Sequence, residues 1–328
     1  MSSNSIVNSI ASKKAITDDD VLVLRRTLYA DGRITEAEAS LLFDINDKCP
    51  SHMLAWAQFF IEAVSDFLVH QVKPLGYIDE ANANWLMKHM DADGKLESWN
   101  ELELLIQVIE KAKSVPDSLN IYALSQVKHA VLTGDGVTRS GKPLEAGVVS
   151  EGDVQLLRRI LHAFGSGSNI GITTAEAEVL FDINDATAKA DNHPSWNVLF
   201  AQAIANHLMM AQGYHAPDRE TALRQEKWLD EKPDMNDFVS AMVKGLRDVY
   251  KNSWRDDSGE AAARKRRLAM EAATSQSEKI TSAEANWLAS RINSDGNMSP
   301  AERAALTFIK QESPDVDPAL KPLLDLVA

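Results

Sequence analysis

Phe43-Asp44-Ile45-Asn46-Asp47 returns unchanged as Phe181-Asp182-Ile183-Asn184-Asp185, and the likeness extends outward from both copies. Upstream, Asp20-Val21-Leu22-Val23-Leu24-Arg25-Arg26 matches Asp153-Val154-Gln155-Leu156-Leu157-Arg158-Arg159. Downstream, Trp56 and Phe60 match Trp196 and Phe200, and Ala83-Asn84-Trp85-Leu86 matches Ala285-Asn286-Trp287-Leu288. Eight residues after Trp85 and Trp287 come Asp93-Gly94 and Asp295-Gly296. One short identity arises by chance, but five collinear matches read as a tandem duplication, and a repeat has to be recognised before any other feature is interpreted.

The unequal spacing locates the insertions. The second copy gains a glycine-serine loop around 165–171 and a much longer stretch between Tyr214 and Lys279, which holds the basic run Arg264-Lys265-Arg266-Arg267. Thr133 to Gly152 carries five glycines and Pro143 with few large apolar side chains, a linker composition. The expected organisation is therefore a flexible tail (1–16), a first module (17–133), a glycine-rich linker (134–151), a second module (152–313) with an insertion at about 214–279, and a C-terminal tail (314–328).

Both modules read as helical. Leu24 and Leu28, then Leu41, Leu42 and Ile45, then Leu102, Leu105, Ile106 and Ile109 recur at three- and four-residue spacing. No stretch alternates with β-branched enrichment. Thr35-Glu36-Ala37-Glu38, Thr173-Thr174-Ala175-Glu176, Thr281-Ser282-Ala283-Glu284 and Ser299-Pro300-Ala301-Glu302 have the form of a capping box. In that motif the hydroxyl accepts from the third amide and the carboxylate reaches back to the cap amide. The expected fold is all-α: a duplicated antiparallel helical module with Asp-Gly turns similar to those of EF-hands.

Composition narrows the classes. The 328 residues fit roughly two domains at about 100–200 residues each. With 34 Lys+Arg against 48 Asp+Glu the net charge is −14, which argues against a nucleic-acid surface, since that needs clustered cations to displace phosphate counterions. The acidity is even: residues 1–133 hold 12 basic and 19 acidic side chains, and the remainder holds 22 and 29. A lone cysteine, Cys49, excludes an internal disulfide framework. The apolar stretch Met53–Val69 is broken by Gln58, Glu62, Ser65 and Asp66, and with no signal-like N-terminus the expectation is a cytoplasmic protein without direct membrane insertion.

Candidate ligands lie in the Asp-Gly turns. Asn293, Asp295, Asn297 and Glu302 follow the EF-hand pattern best; Asp91, Asp93 and Glu101 come next, and Asp31 with Glu38 forms a third set. The first loop position would fall on Thr27, His89 or Arg291, so calcium or another divalent cation is expected to bind weakly. A turn followed by a helix cap accounts for the same glutamates without any metal. A second candidate is an acidic face made by Asp44, Asp47, Asp182 and Asp185, with the stripe Glu62, Asp66 and His70 at four-residue spacing. Carboxylates with a histidine can hold a divalent cation, and a metal-dependent hydrolase on that stripe is the remote alternative. A solvated helix face is the plainer reading of these charges. There is no phosphate-cradling glycine loop and no nucleophile elbow, so catalytic residues are not assigned.

The run Ala30-Asp31-Gly32-Arg33-Ile34-Thr35-x-x-Glu38 resembles the helical module of the TerB-like tellurite-resistance family, and Ile172-Thr173-Thr174-Ala175-Glu176 resembles the same helix start. The resemblance covers about 100 residues in each half. It departs in the second, where Phe164-Gly165 replaces Ala30-Asp31. It implies a non-enzymatic cytoplasmic module of a stress or metal-resistance system that associates with membrane-bound protein partners and divalent cations. Two functions follow as expectations: an acidic binding and scaffolding protein, or a calcium-responsive protein using degenerate EF-hand-like loops.

Overall fold

Capping boxes start half of the helices among the described residues. In the computed structural model, which describes residues 9–10, 12–13, 16–30, 32–48, 54–90, 96, 98–137, 145–163, 171–209, 280, 282–292, 297–312 and 318–327, Thr173 and Glu176 form the reciprocal cap expected of them. Ser299 and Glu302 do the same, as do Thr35 and Glu38. Thr281 lies outside the described residues. Three further capping boxes occur at Thr17–Asp20, Ser98–Glu101 and Ser150–Asp153. Two of these use aspartate in place of glutamate, and so escape a search for the longer acid.

The described residues form twelve α-helices and no strands. In the first half they are α1 (Asp18–Leu28), α2 (Glu36–Lys48), α3 (Leu54–Asp66), α4 (Glu80–Met90), α5 (Trp99–Lys111) and α6 (Asp117–Thr133). In the second they are α7 (Glu151–Leu161), α8 (Thr174–Thr187), α9 (Ser195–Met209), α10 (Ser282–Arg291), α11 (Pro300–Glu312) and the short α12 (Lys321–Asp325). None is long and apolar enough to cross a membrane.

α3 is the central helix of the first half and packs against α1, α2 and α5. Trp56, Phe59, Phe60, Ile61 and Val64 are all buried, each apolar side chain contributing about 1.5–3 kcal/mol on leaving water. α3 ends in a single π-turn, Phe67–Gln71. α9 holds the corresponding place among α7, α8 and α11.

Aromatic packing follows the repeated sequence closely. Phe43 meets Phe60 edge-on at 5.1 Å and 88°, and Phe181 meets Phe200 at 5.0 Å and 84°. Phe43 meets Trp85 at 5.8 Å and 77°, and Phe181 meets Trp287 at 5.6 Å and 83°. Edge-to-face contact of this kind suits the ring quadrupoles. Trp56 and Trp196 are fully buried, while Trp85 and Trp287 flank the core.

One hydrophobic cluster runs through both halves. α6 lies against α7 and α8, and α5 touches α7. The stretch expected as a linker is tied down where it is described: Gly147 N–H donates to the Val131 carbonyl at 2.7 Å, His193 N–H donates to Val149 O at 2.8 Å, and Val149 is fully buried. Apolar residues from both expected tails also join the core, Ile10 and Ile16 at one end and Leu320 and Leu324 at the other.

Candidate functional site

Asn46 and Asn184, the fourth residues of the repeated pentapeptide, face inward, each 2% exposed. Both neighbouring aspartates, Asp44 and Asp47 in one copy and Asp182 and Asp185 in the other, face outward. A buried amide has to be hydrogen-bonded or it costs about 1–3 kcal/mol. Asn46 donates from Nδ2 to Glu101 Oε1 at 3.2 Å, while its Oδ1 accepts from Trp56 Nε1 at 3.3 Å and Asn100 Nδ2 at 3.1 Å. The α5 cap is thereby joined to the centre of α2. In the second half Asn184 pairs with Ser299 Oγ at 3.1 Å, and Ala301 stands where Asn100 stood. There Trp196 Nε1, fully buried, has no hydrogen-bond partner among the described residues.

The glutamates expected to hold a metal are turned to helix caps. Glu101 Oε2 accepts from Ser98 N–H at 3.0 Å, Glu302 Oε2 from Ser299 N–H at 2.6 Å, and Glu38 Oε2 from Thr35 N–H at 2.8 Å. Glu101 and Glu302 are buried, Glu38 half-buried. Asn297 is exposed at the start of the α11 approach. Asp31, Asp91, Asp93, Asn293 and Asp295 lie outside the described residues, as do Cys49 and Arg264 to Arg267. Gly32, beside Asp31, has φ +76°, the left-handed conformation that its turn demands.

On the acidic face, cations already answer much of the charge. Asp182 meets Lys128 Nζ at 2.7 Å and Arg291 Nη2 at 3.4 Å. Arg291 also reaches Asp185 at 3.4 Å and Glu178 at 3.3 Å, with its guanidinium 5.0 Å from the Phe181 ring centre. Burial still pushes the Asp185 carboxyl above its ordinary value, against the pull of Arg291.

The stripe on α3 is likewise engaged. Glu62 is held by Arg25 through two hydrogen bonds of 2.9 and 2.7 Å, which depress its pKa. Asp66 accepts from Gln71 Nε2 at 2.5 Å, and Gln71 Oε1 in turn accepts from Ile34 N–H at 2.7 Å. Tyr29 sits beside both acids; burial and their charges push its phenol up to about 12. His70 is exposed in the π-turn. Among the described residues, no three His, Cys, Asp or Glu side chains form a group that could hold a metal ion.

A further charged cluster joins residues too far apart in the chain for any local pattern to mark it. Arg159 of α7 reaches across to α5, meeting Glu103 at 2.8 and 2.9 Å and Glu110 at 2.7 and 2.8 Å. Hydrogen bonds donated to Glu110 and Glu103 raise the guanidinium pKa further, so Arg159 is permanently charged. Lys128–Asp182 is a further ion pair between the halves, of opposite polarity. Between α6 and α7, Leu156, Asp153, Val127 and Ala130 line a cleft of about 10 Å³, room for roughly one water.

A scan against protein-family models found no match to the chain, and searches of curated proteins and of solved structures found none either.

Proposed function

We propose that this chain is a non-enzymatic, acidic binding and scaffolding protein, a doubled helical module similar to those of TerB-like stress or metal-resistance systems, acting on a protein partner in the cytoplasm. The carrying observation is the use made of the candidate chemical groups. Glu38, Glu101 and Glu302 serve caps, while Glu62 and Asp182 serve ion pairs. Side chains spent on fixing geometry favour a rigid surface over a reaction centre. The matched aromatic triads Phe43–Phe60–Trp85 and Phe181–Phe200–Trp287 support reading the halves as one duplicated module. Divalent cations enter this reading only as weak ligands of the Asp-Gly turns.

The test pairs metal analysis of the purified protein with capture of partners from its own cell extract. The proposal expects metal well below one equivalent and a partner protein recovered in a fixed ratio. A tightly held stoichiometric metal would overturn it, as would phosphoesterase activity that disappears in Asp66→Ala. The second reading, a calcium-responsive protein, draws on the left-handed Gly32 in its EF-hand-like turn. Calcium should then expose apolar surface, as sensor EF-hands do.

A further inference from the structure

The two halves use the same sequence stretch differently. In Asp153–Arg159, Leu156 is 5% exposed in the cleft beside α6, and Arg159 is gripped by Glu103 and Glu110 of α5. In the matching stretch Asp20–Arg26, Val23 stands where Leu156 does and is 39% exposed. Leu22 beside it is 51% exposed, and Arg26, the counterpart of Arg159, is exposed with no carboxylate partner among the described residues.

The next helix repeats the contrast. On α8, Glu176 and Val179 are buried and Asp182 meets Lys128 of α6. On α2 the counterparts Glu38 and Leu41 are only half-buried, and Asp44 is exposed with no cation on it among the described residues. The α7–α8 face thus seats the α5–α6 hairpin, and the α1–α2 face carries the same kinds of residue uncovered. Exposed apolar side chains on the same helices as charges of both signs, without an opposite partner among the described residues, are a poor solvent surface but a specific docking one.

A second copy of the chain does not supply the complement through the corresponding hairpin. The positions on α11 that match Glu103 and Glu110 are Ala304 and Gln311, which offer Arg26 no charge. We propose that the α1–α2 face binds a two-helix segment of a different protein. One helix of that segment carries a pair of carboxylates, two turns apart, opposite Arg26. The other carries a lysine or arginine opposite Asp44, with apolar residues between them covering Val23 and Leu41. This rests on the scaffolding reading and names the chemistry of its partner.

The probe is a labelled synthetic peptide, Ser98 to Gly134 of this chain, with each helix stapled on its solvent side, titrated against the full-length protein at low salt. It carries Glu103, Glu110 and Lys128, and α7–α8 of the protein is already filled by the chain's own hairpin. Saturable binding is expected, weakened about tenfold or more by Arg26→Glu and regained when the peptide carries Glu103→Lys and Glu110→Lys. Val23→Asp is the second variant, and thermal midpoints establish that both are folded. Absence of binding up to about 1 mM peptide, or an affinity indifferent to Arg26→Glu, overturns the proposal. So does a dimer in sedimentation equilibrium that Arg26→Glu dissociates, because the face would then belong to a second copy. A calcium-induced conformational change would count against the scaffolding reading and leave the peptide result standing.

Discussion

Arg159 and Glu103, 56 residues apart in the chain, form a two-pronged ion pair at 2.8 and 2.9 Å. Their side chains are only 19% and 10% exposed, and Glu110 closes the other edge of the same guanidinium. A pair so placed is worth little against a hydrophobic substitute, yet removing one member strands the other. The net acidity of both halves makes the arginine more consequential, because it stands between two buried or half-buried carboxylates.

Arg159→Ala should therefore destabilise the chain by about 3 kcal/mol, read as a lower urea midpoint. Arg159→Met combined with Glu103→Met and Glu110→Gln should recover most of that loss. If Arg159→Ala unfolds like the parent protein, the pair does not hold the halves together.

The two asparagines of the repeated pentapeptide should respond unequally. Asn46→Ala leaves Trp56 Nε1, Asn100 and Glu101 short of a partner, at a cost of about 2–3 kcal/mol. Asn184→Ala should cost less, since Trp196 Nε1 already lacks a partner among the described residues and Ser299 can turn to its cap. Denaturant midpoints of the two variants measure the difference, and equal losses would contradict the assigned network.

Much of the fold was legible in the chain, and the exceptions have physical reasons. Period and caps marked the helices because both are local: Thr173 and Glu176 are three residues apart. The inward asparagines stand beside more conspicuous aspartates, although Asn46 follows Phe43 at i+3 and so shares its buried face. The partners of Asn46 on α5, Asn100 and Glu101, are 54 and 55 residues away, beyond any local pattern. Arg26 and Arg159 are identical in the repeat, and spacing cannot say that only one is clamped. The glycine-rich composition of 134–151 suggested a spacer, whereas burial of Val149 depends on the docking of α6 against α7 and α8.

Glu176 gives the structure a measurable pH signature. Burial raises its carboxyl pKa in spite of the hydrogen bonds from Thr173. The folded state thus holds its proton more tightly than the unfolded chain, and this group's contribution is fully present below about 4.5, the ordinary glutamate value. It is lost as pH rises through the higher folded value. Glu176→Gln keeps a capping side chain without the charge, so it should be more stable than the parent at neutral pH. That advantage should vanish in acid, as read from thermal midpoints across the range. An advantage that persists unchanged at low pH would refute this origin.

The most direct measurement for the scaffold reading is the thermal midpoint of the full chain with and without millimolar calcium, taken with a dye that reports exposed apolar surface. A ligand that binds only the native state stabilises it by RT ln(1 + c/Kd) at free ligand concentration c. The account predicts a midpoint shift below about 1 °C and unchanged dye fluorescence, because Glu38, Glu101 and Glu302 are committed to helix caps. A rise of several degrees together with increased dye binding would contradict it and assign the chain to calcium sensing.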